Sequence, residues 1–141
     1  MKLKVKRLSE MAKLPQYATE GAACFDLVAT ARKIVGNTAT YETGLAFEVP
    51  KGHVLMVYSR SGHGFNEGLR LCNGTGVIDS DDRGEVRVKL QADQPQPDWP
   101  RVGDRVAQAM LVKLPVVEIE EVDELTETKR GQGGFGSTWN K

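Results

Sequence analysis

Short runs of alternating apolar and polar residues, separated by glycine and proline, constrain this chain more than any other feature. Residues 85–90 alternate strictly, which is the period of a half-buried strand. Residues 116–120 alternate in the same way, and residues 54–58 form a short apolar run rich in β-forming side chains. Residues 40–49 predict a strand, a turn and a second strand. Short strands that recur with turn signals between them predict an all-β fold, either a sandwich or a barrel.

The remaining segments are less regular. Residues 105–112 alternate only in part, so they fit either a strand or a short helix. Residues 61–68 are the best helix candidate, although two glycines inside the segment weaken it. Residues 94–100 contain three prolines and predict a connector, because proline cannot donate to a central sheet ladder.

Length and composition exclude several classes of protein. A chain of 141 residues fits one domain. Equal numbers of basic and acidic residues, 19 each, argue against a protein that binds duplex DNA. Two cysteines and two histidines are too few for a disulfide framework or a closed zinc site. The basic N-terminus lacks the apolar core of a secretory signal, and no run approaches the roughly 20 apolar residues that span a bilayer. We therefore expect a cytoplasmic protein (in the host's cytoplasm if the gene is viral) with no membrane or nucleic-acid partner.

An acidic run at residues 79–85 contains four carboxylates. It fits a solvated turn, and it also fits a general base or a metal–phosphate site. Asp79 directly follows the β-branched residues Val77 and Ile78, and a carboxylate at the end of an apolar strand can be partly buried, where its pKa can be tuned. The solvated turn and the functional site both stay open.

Two further segments carry side chains suited to phosphate. Arg60, Ser61 and Gly62 follow an apolar strand and offer a guanidinium fork, a hydroxyl and an open backbone N–H. An exposed turn with a surface arginine fits equally well. Asp26 stands inside an apolar strand, where an edge or outward position is the simplest explanation.

The C-terminal segment 130–138 is too rich in glycine to hold one conformation alone. Residues 131–136 match the pattern G-x-G-x-x-G, but the chain ends five residues later, so the helix and acidic residue of a dinucleotide site cannot follow. Two alternatives remain: a frayed tail, or an arm that becomes ordered over a ligand.

Taken in order, five segments resemble the five motifs of the trimeric dUTP pyrophosphatase (dUTPase) family. They are residues 23–27 (Ala-Cys-Phe-Asp-Leu), 59–62 (Ser-Arg-Ser-Gly), 73–85 (Asn-Gly-Thr-Gly-Val-Ile-Asp-Ser-Asp-Asp-Arg-Gly-Glu), 103–108 (Gly-Asp-Arg-Val-Ala-Gln) and 130–138 (Arg-Gly-Gln-Gly-Gly-Phe-Gly-Ser-Thr). The resemblance implies a jelly-roll-like β-barrel and a homotrimer with active sites at subunit interfaces. It divides the chain into a catalytic barrel, residues 1–125, and a flexible arm, residues 126–141, that closes over a neighbouring active site.

The resemblance also implies an activity. A water molecule would attack the α-phosphorus of dUTP in line, with Mg²⁺, and release dUMP and pyrophosphate. This reaction keeps uracil out of DNA and supplies dUMP for dTTP synthesis. Asp79 would be the base that deprotonates the water, and Asp26 would support the metal indirectly, through water. Uracil and deoxyribose would be bound by Asn73, Gly74, Gly76, Val77, Ile78, Asp82 and Phe135. The phosphates would be bound by Arg60, Ser61, Gly62, Gln108, Arg130, Gly136, Ser137 and Thr138.

The sequence departs from the family pattern most clearly at Asp82. The family usually has tyrosine there, and its ring packs under the deoxyribose and leaves no room for a 2′-hydroxyl. We therefore expect weaker discrimination between dUTP and UTP, unless Asp82 points to solvent and another side chain covers the sugar. Cys24 replaces a usual glycine, Ser59 a usual proline, and Trp139 a usual small residue.

Three rival functions remain. A non-catalytic dUTP-binding regulatory protein would keep the fold and the trimer, although it would need neither the base nor the arm. A related dCTP deaminase shares the fold but needs a different reader of the base edge. A single-strand-binding barrel needs stacking aromatics and a basic groove, and only 6% of these residues are aromatic.

Overall fold

Ten short strands and one short helix make up the computed structural model, which describes residues 1–139. In chain order they are β1 (Lys4–Arg7), β2 (Gln16–Tyr17), β3 (Phe25–Val28), β4 (Ala31–Val35), β5 (Thr38–Glu48), β6 (His53–Tyr58), α1 (Ser61–Glu67), β7 (Leu69–Leu71), β8 (Gly76–Ile78), β9 (Glu85–Ala92) and β10 (Arg105–Lys113).

The strands form two five-stranded antiparallel sheets. In the first sheet, β1, β5, β9 and β7 are neighbours in that order, and β4 also pairs with β5. In the second sheet the order is β2, β3, β10, β6 and β8. This arrangement confirms the predicted all-β, jelly-roll-like fold. It differs from the predicted barrel in one respect: over residues 1–139 no ladder joins the two sheets into a closed barrel.

The hydrophobic core lies between the two sheets. Alternate residues of β9, including Val88 and Leu90, face inward from the first sheet. Leu27 and Leu55 are fully buried in the second sheet. Phe25 and Phe47 stack with their ring centroids 6.4 Å apart and join the two sheets. A period of two residues therefore builds a shared core, as expected for packed antiparallel sheets.

Most of the elements predicted from periodicity are present. The predicted strands 85–90 and 54–58 lie within β9 and β6, and the ambiguous segment 105–112 lies within strand β10. The helix predicted at residues 61–68 is α1. It ends at Gly68, whose left-handed backbone (φ 61°) allows its N–H to bond the carbonyl of His63. The connector predicted at residues 94–100 contains no strand.

The strand–turn–strand predicted over residues 40–49 is wrong. Residues 38–48 form one continuous strand, β5, with a register shift between Glu42 and Ala46. Gly44 has a φ of 64°, its N–H donates to Glu85 Oε1 at 2.9 Å, and its carbonyl accepts from the N–H of Leu8 at 2.7 Å. Glycine here serves a bulge that bends the strand rather than a turn that ends it, and both need the same backbone conformation.

The strand predicted at residues 116–120 is also wrong. Residues 114–139 contain no helix or strand, and the side chains of Val116 and Ile119 are fully exposed. The ladder between β10 and β6 ends where Lys113 pairs with His53, and Pro115 follows two residues later. The alternation of apolar and polar residues therefore continues through residues 116–120, but no strand among the described residues pairs with this segment. No helix within residues 1–139 is long and apolar enough to cross a membrane.

Candidate active site

A half-buried carboxylate holds two arginines at one end of the second sheet. Asp26 lies in β3 opposite Gln108 of β10, and its side chain is 14% exposed. Its Oδ1 lies 3.3 Å from Nε of Arg60, and its Oδ2 accepts from Nη1 of Arg105 at 3.2 Å. Arg60 also donates to the carbonyl of Arg105 at 3.4 Å. The shared carboxylate offsets the repulsion between two guanidinium groups that would otherwise stand unpaired.

An open pocket of about 540 Å³ lies beside this cluster. The side-chain amide of Gln108 donates to the carbonyl of Ser59 at 3.0 Å, and the Ser59 hydroxyl accepts from the N–H of Leu71 at 3.0 Å. These bonds fix the end of β6 relative to β10. The pocket is lined by Ser59, Arg60, Ser61, Gly64, Phe65 and Gln108. The structure thus brings together three of the predicted phosphate-binding residues, and Gly62 lies nearby, exposed in α1.

Two residues near this pocket received no role from the sequence. Arg105 lies in the segment that resembles the fourth motif, three residues before Gln108 in the same strand. This closeness to a predicted phosphate-binding residue is the sequence signal that could have identified it. His63 is half-buried in α1, and within residues 1–139 its Nδ1 atom is buried without a hydrogen-bond partner. Burial, and secondarily the charge of Arg60, lower the pKa of His63. Both effects favour the uncharged form of the ring.

A second pocket, of about 210 Å³, lies against residues 73–78, which comprise strand β8 and the turn before it and are called the β8 segment below. Five predicted uracil- and deoxyribose-binding residues line it: Asn73, Gly76, Val77, Ile78 and Asp82. Gly74 forms the preceding turn with a φ of 71°, and its N–H donates to the carbonyl of Leu71 at 3.0 Å. A Cβ atom on Gly76 would lie 2.9 Å from Cβ of Val57. Glycine at this position therefore lets the β8 segment approach β6 closely enough to form the pocket wall.

The acidic run folds into a hydrogen-bonded turn at the end of β8. The Asp82 N–H donates to the carbonyl of Asp79 at 3.2 Å, and Asp82 Oδ1 accepts from the N–H of Gly84 at 2.7 Å. Asp79 is exposed in the single chain, so the partial burial that a strand end allows is not present there. A strand of only three residues, β8, ends at Ile78 and leaves the next carboxylate beyond the sheet.

The predicted arm residues form a third, separate group. Arg130 Nε donates to the carbonyl of Gly133 at 2.7 Å, so this guanidinium is bonded within its own loop. Phe135 is fully exposed, and Gly136 has a φ of 85°. Ser137 and Thr138 lie in the following turn. None of these residues lines either pocket described above. The last two residues of the predicted arm, 140 and 141, lie outside the described residues.

The donor set near Asp26 fits a hydrated cation. Within residues 1–139 no group of three or more His, Cys, Asp or Glu side chains could hold a metal by protein ligands alone. Each oxygen of Asp26 already faces a guanidinium, yet a carboxylate oxygen can accept more than one hydrogen bond. Magnesium keeps several of its waters and is commonly held by one or two carboxylates together with substrate phosphates. Asp26 suits such indirect binding.

The fold and these side chains identify the class of protein when they are compared with known proteins. Residues 10–139 match the family model described as dUTPase, so the chain belongs to the dUTPase family. This confirms the resemblance drawn from the five motifs.

Individual relatives match nearly the whole chain. The deoxyuridine 5′-triphosphate nucleotidohydrolase of Nautilia profundicola is 42% identical over 140 residues, which cover 98% of this chain and 99% of the relative. That of Desulfitobacterium hafniense (strain DCB-2) is 43% identical over 143 residues, covering 98% and 95%. The dUTPase of Staphylococcus bacteriophage 80alpha, solved with dUPNHPP, superposes with a TM-score of 0.84 at 24% identity, covering 96% and 97% of the two chains. This structural likeness shows the fold alone.

Proposed function

We propose that the protein hydrolyses dUTP to dUMP and pyrophosphate. The observation that carries this proposal is the match of residues 10–139 to the dUTPase family, supported by relatives named deoxyuridine 5′-triphosphate nucleotidohydrolase at about 40% identity over nearly their full length. In the cell, this reaction would keep uracil out of DNA and supply dUMP for dTTP synthesis. We expect it to take place in the cytoplasm.

The pocket beside Asp26 would bind the triphosphate. A triphosphate carries about four negative charges near neutral pH, which positioned cations and hydrogen-bond donors must offset in the transition state. Arg60, Ser61, Gly62 and Gln108 would supply these donors. The ion pair with Asp26, at 3.3 Å, would hold Arg60 in place before the substrate arrives. Preorganisation of this kind avoids reorienting the charge during the reaction.

The pocket at the β8 segment would bind the nucleoside. The Asn73 side chain and the backbone groups of Gly74, Gly76, Val77 and Ile78 would read the polar edge of uracil. Phe135 of the arm would stack on the ring, and Asp82 would lie beside the deoxyribose.

Asp79 would act as the general base. Its carboxylate takes a proton from water as the water oxygen bonds to the α-phosphorus. The bond from the α-phosphorus to the bridging oxygen of the β-phosphate breaks, and pyrophosphate leaves with that oxygen. A positioned base of this kind contributes about 10²–10⁴-fold to the rate. Mg²⁺, held by Asp26 through water and by phosphate oxygens, would supply charge neutralisation when bound.

Shared sites in a homotrimer would explain why one chain leaves the predicted residues in three groups. In this arrangement different copies of the chain meet at a subunit interface and contribute the phosphate pocket, the β8 segment and the arm. Residues 1–125 would form the catalytic domain. Residues 126–141 would form the flexible arm, whose Arg130, Gly136, Ser137 and Thr138 grip the terminal phosphates.

Pyrophosphate release with Mg²⁺ tests the proposed reaction on dUTP, UTP, dCTP and dTTP. We expect turnover of dUTP, and a loss of about 10²–10⁴-fold in kcat for Asp79→Asn. Asp81→Asn is the matched control, because Asp81 is an exposed carboxylate in the same turn, and it should retain activity. Binding of dUTP without release of pyrophosphate would favour a regulatory dUTP-binding protein, and loss of ammonia from dCTP would favour a deaminase.

A further inference from the structure

An exposed aromatic ring stands beside the proposed triphosphate pocket. Helix α1 has no buried residue, and its Phe65 is 92% exposed. Phe65 nevertheless lines the same pocket of about 540 Å³ as Arg60, Ser61 and Gln108. A single exposed apolar side chain is common on protein surfaces and indicates nothing alone. Phe65, however, lies on the wall of a pocket whose other side chains are polar, and both faces of its ring are available to a partner.

A second exposed aromatic ring lies at the end of the arm. Trp139 is 76% exposed and directly follows Thr138. The backbone N–H of Trp139 donates to the carbonyl of Gly136 at 2.9 Å. The indole ring folds back over that glycine, because a Cβ atom built on Gly136 would lie 3.5 Å from Cε3 of Trp139. The turn therefore fixes the indole beside the segment 136–138 rather than leaving it at a free chain end.

The proposed function brings these two rings together. If segment 136–138 and the residues Arg60 and Ser61 hold the same triphosphate, both must lie within the length of that short ligand. Phe65 stands four residues after Ser61 in α1, about 6 Å further along the helix axis. Trp139 is the residue after Thr138, about 3.8 Å away along the backbone. The two rings would then stand at neighbouring positions around the same ligand.

We propose that Trp139 of one copy packs on Phe65 of another copy when substrate is bound, and that this aromatic contact holds the arm over the triphosphate. The inference rests on the proposed function. Both are positioning residues, because they act by holding the arm rather than by touching the reacting atoms. Aromatic pairs prefer edge-to-face or offset-stacked geometries with ring centroids about 4.5–7 Å apart, which an exposed ring on a short helix can accept.

Steady-state kinetics on the full chain test this contact. We expect Phe65→Ala and Trp139→Ala each to raise KM for dUTP by about 3- to 10-fold, with kcat changed less than about twofold. The double variant should be no worse than either single variant, because both remove the same contact. Trp139→Phe should recover most of the loss. Val35→Ala is the control, since Val35 is an exposed apolar residue on β4, and it should leave KM unchanged.

Fluorescence gives a readout that a general loss of stability would not produce. The chain has two tryptophans, so Trp99→Phe leaves Trp139 as the single indole. We expect dUpNHpp to change the Trp139 emission in this background, and Phe65→Ala to remove most of that change.

Other outcomes would overturn the inference in distinguishable ways. Additive effects of the two alanine variants would mean that the rings act independently. An effect of Trp139→Ala without one of Phe65→Ala would mean that the indole contacts the ligand instead. Normal turnover of dUTP with unchanged KM in both variants would overturn the aromatic contact alone. Absence of dUTP turnover in the parent chain would overturn the proposed function, and the contact would fall with it.

Discussion

Asp26 shows how much one side chain organises at this site. Its two oxygens separately hold Arg60 and Arg105, which come from different parts of the chain. Removing the carboxylate would leave two guanidinium groups close together without their shared anion, so the arginines would no longer be fixed for a ligand. An acidic residue in an apolar strand is thus accounted for by the two cations that the fold brings to it.

The residue that most directly tests substrate selection is Asp82. It lies in the wall of the pocket of about 210 Å³, at the position where the family resemblance implies a tyrosine ring under the sugar. We expect Asp82→Tyr to lower kcat/KM for UTP relative to dUTP by about tenfold or more, because the ring removes the space for a 2′-hydroxyl. Asp82→Asn is the control for charge, since it keeps the size of the side chain and removes only its negative charge.

Measuring kcat/KM for dUTP and UTP on the three chains separates these effects. A ratio that is already steep in the parent chain, and unchanged in Asp82→Tyr, would show that another side chain covers the sugar. A change of the ratio in Asp82→Asn equal to that in Asp82→Tyr would assign the selectivity to charge rather than to packing.

Several side chains that the sequence assigns to the ligand line the two pockets, but their environments could not be predicted. Asn73, Gly76 and Asp82 line one pocket as the motif resemblance implies. The exposure of Asp79 was not predictable from the β-branched residues before it, because local sequence does not say where a three-residue strand ends relative to its neighbours. The place of Arg105 beside Asp26 depends on the pairing of β10 with β3, which only the folded sheet defines.

At the scale of elements, the bulge in β5 interrupts the regular pairing between β5 and β9. Gly44 and Gly36 both have left-handed backbones, with φ values of 64° and 59°. A Cβ atom on Gly44 would lie 2.9 Å from Cβ of Ala12, whereas one on Gly36 would meet nothing within 4 Å. We expect Gly36→Ala to cost about 1–2 kcal/mol from backbone strain, and Gly44→Ala to cost about 1–3 kcal/mol more from the clash.

Urea unfolding at one fixed protein concentration checks this difference in the free energy of unfolding, since subunit association would make the midpoint depend on concentration. Equal losses in the two variants would mean that the segment around Ala12 moves away without cost, and that the bulge is not held by this contact.

The side-chain pattern predicted β6 and β9, because burial imposes such a pattern directly, and it left β10 open between strand and helix. It did not predict β1, β2, β4 or β7. The period did not predict the bulge, since a glycine with positive φ serves a turn or a bulge equally well. It wrongly predicted a strand at residues 116–120, because alternation describes which side chains could face a core and does not supply a partner strand. The alternation of side chains in one segment does not tell which strand, if any, lies beside it in a sheet.

At the scale of the whole molecule, the proposed site would draw on more than one copy of the chain. The phosphate pocket, the β8 segment and the arm form separate groups within residues 1–139. Motif order along the sequence predicted all three groups, yet it cannot say which copy supplies each one. Only the structure of an assembled oligomer would show which copy supplies each group, because the sites of a closed symmetric oligomer are built from surfaces that the single chain leaves exposed.

Mixing two inactive chains tests whether the site is shared. One chain carries Asp79→Asn, and the other ends after residue 125; this cut removes no fully buried side chain of the described residues 126–139. Each should be inactive alone. In trimers formed from equal amounts, a site is complete when the truncated chain supplies Asp79 and the full-length chain supplies the arm. We therefore expect recovery of about one quarter of the parent activity, from random assembly in a closed oligomer.

The control combines both changes in one chain and mixes it with the Asp79→Asn chain, which leaves every site without its carboxylate and should restore nothing. Different affinity tags on the two chains allow mixed oligomers to be isolated before the assay, so that failed exchange is not mistaken for a negative result. In isolated mixed trimers the expected recovery is about one third, because the inactive trimers of one chain type have been removed. Isolated mixed oligomers that remain inactive would show that each copy closes its own arm over its own Asp79. The three groups of residues would then have to meet by a rearrangement within one chain.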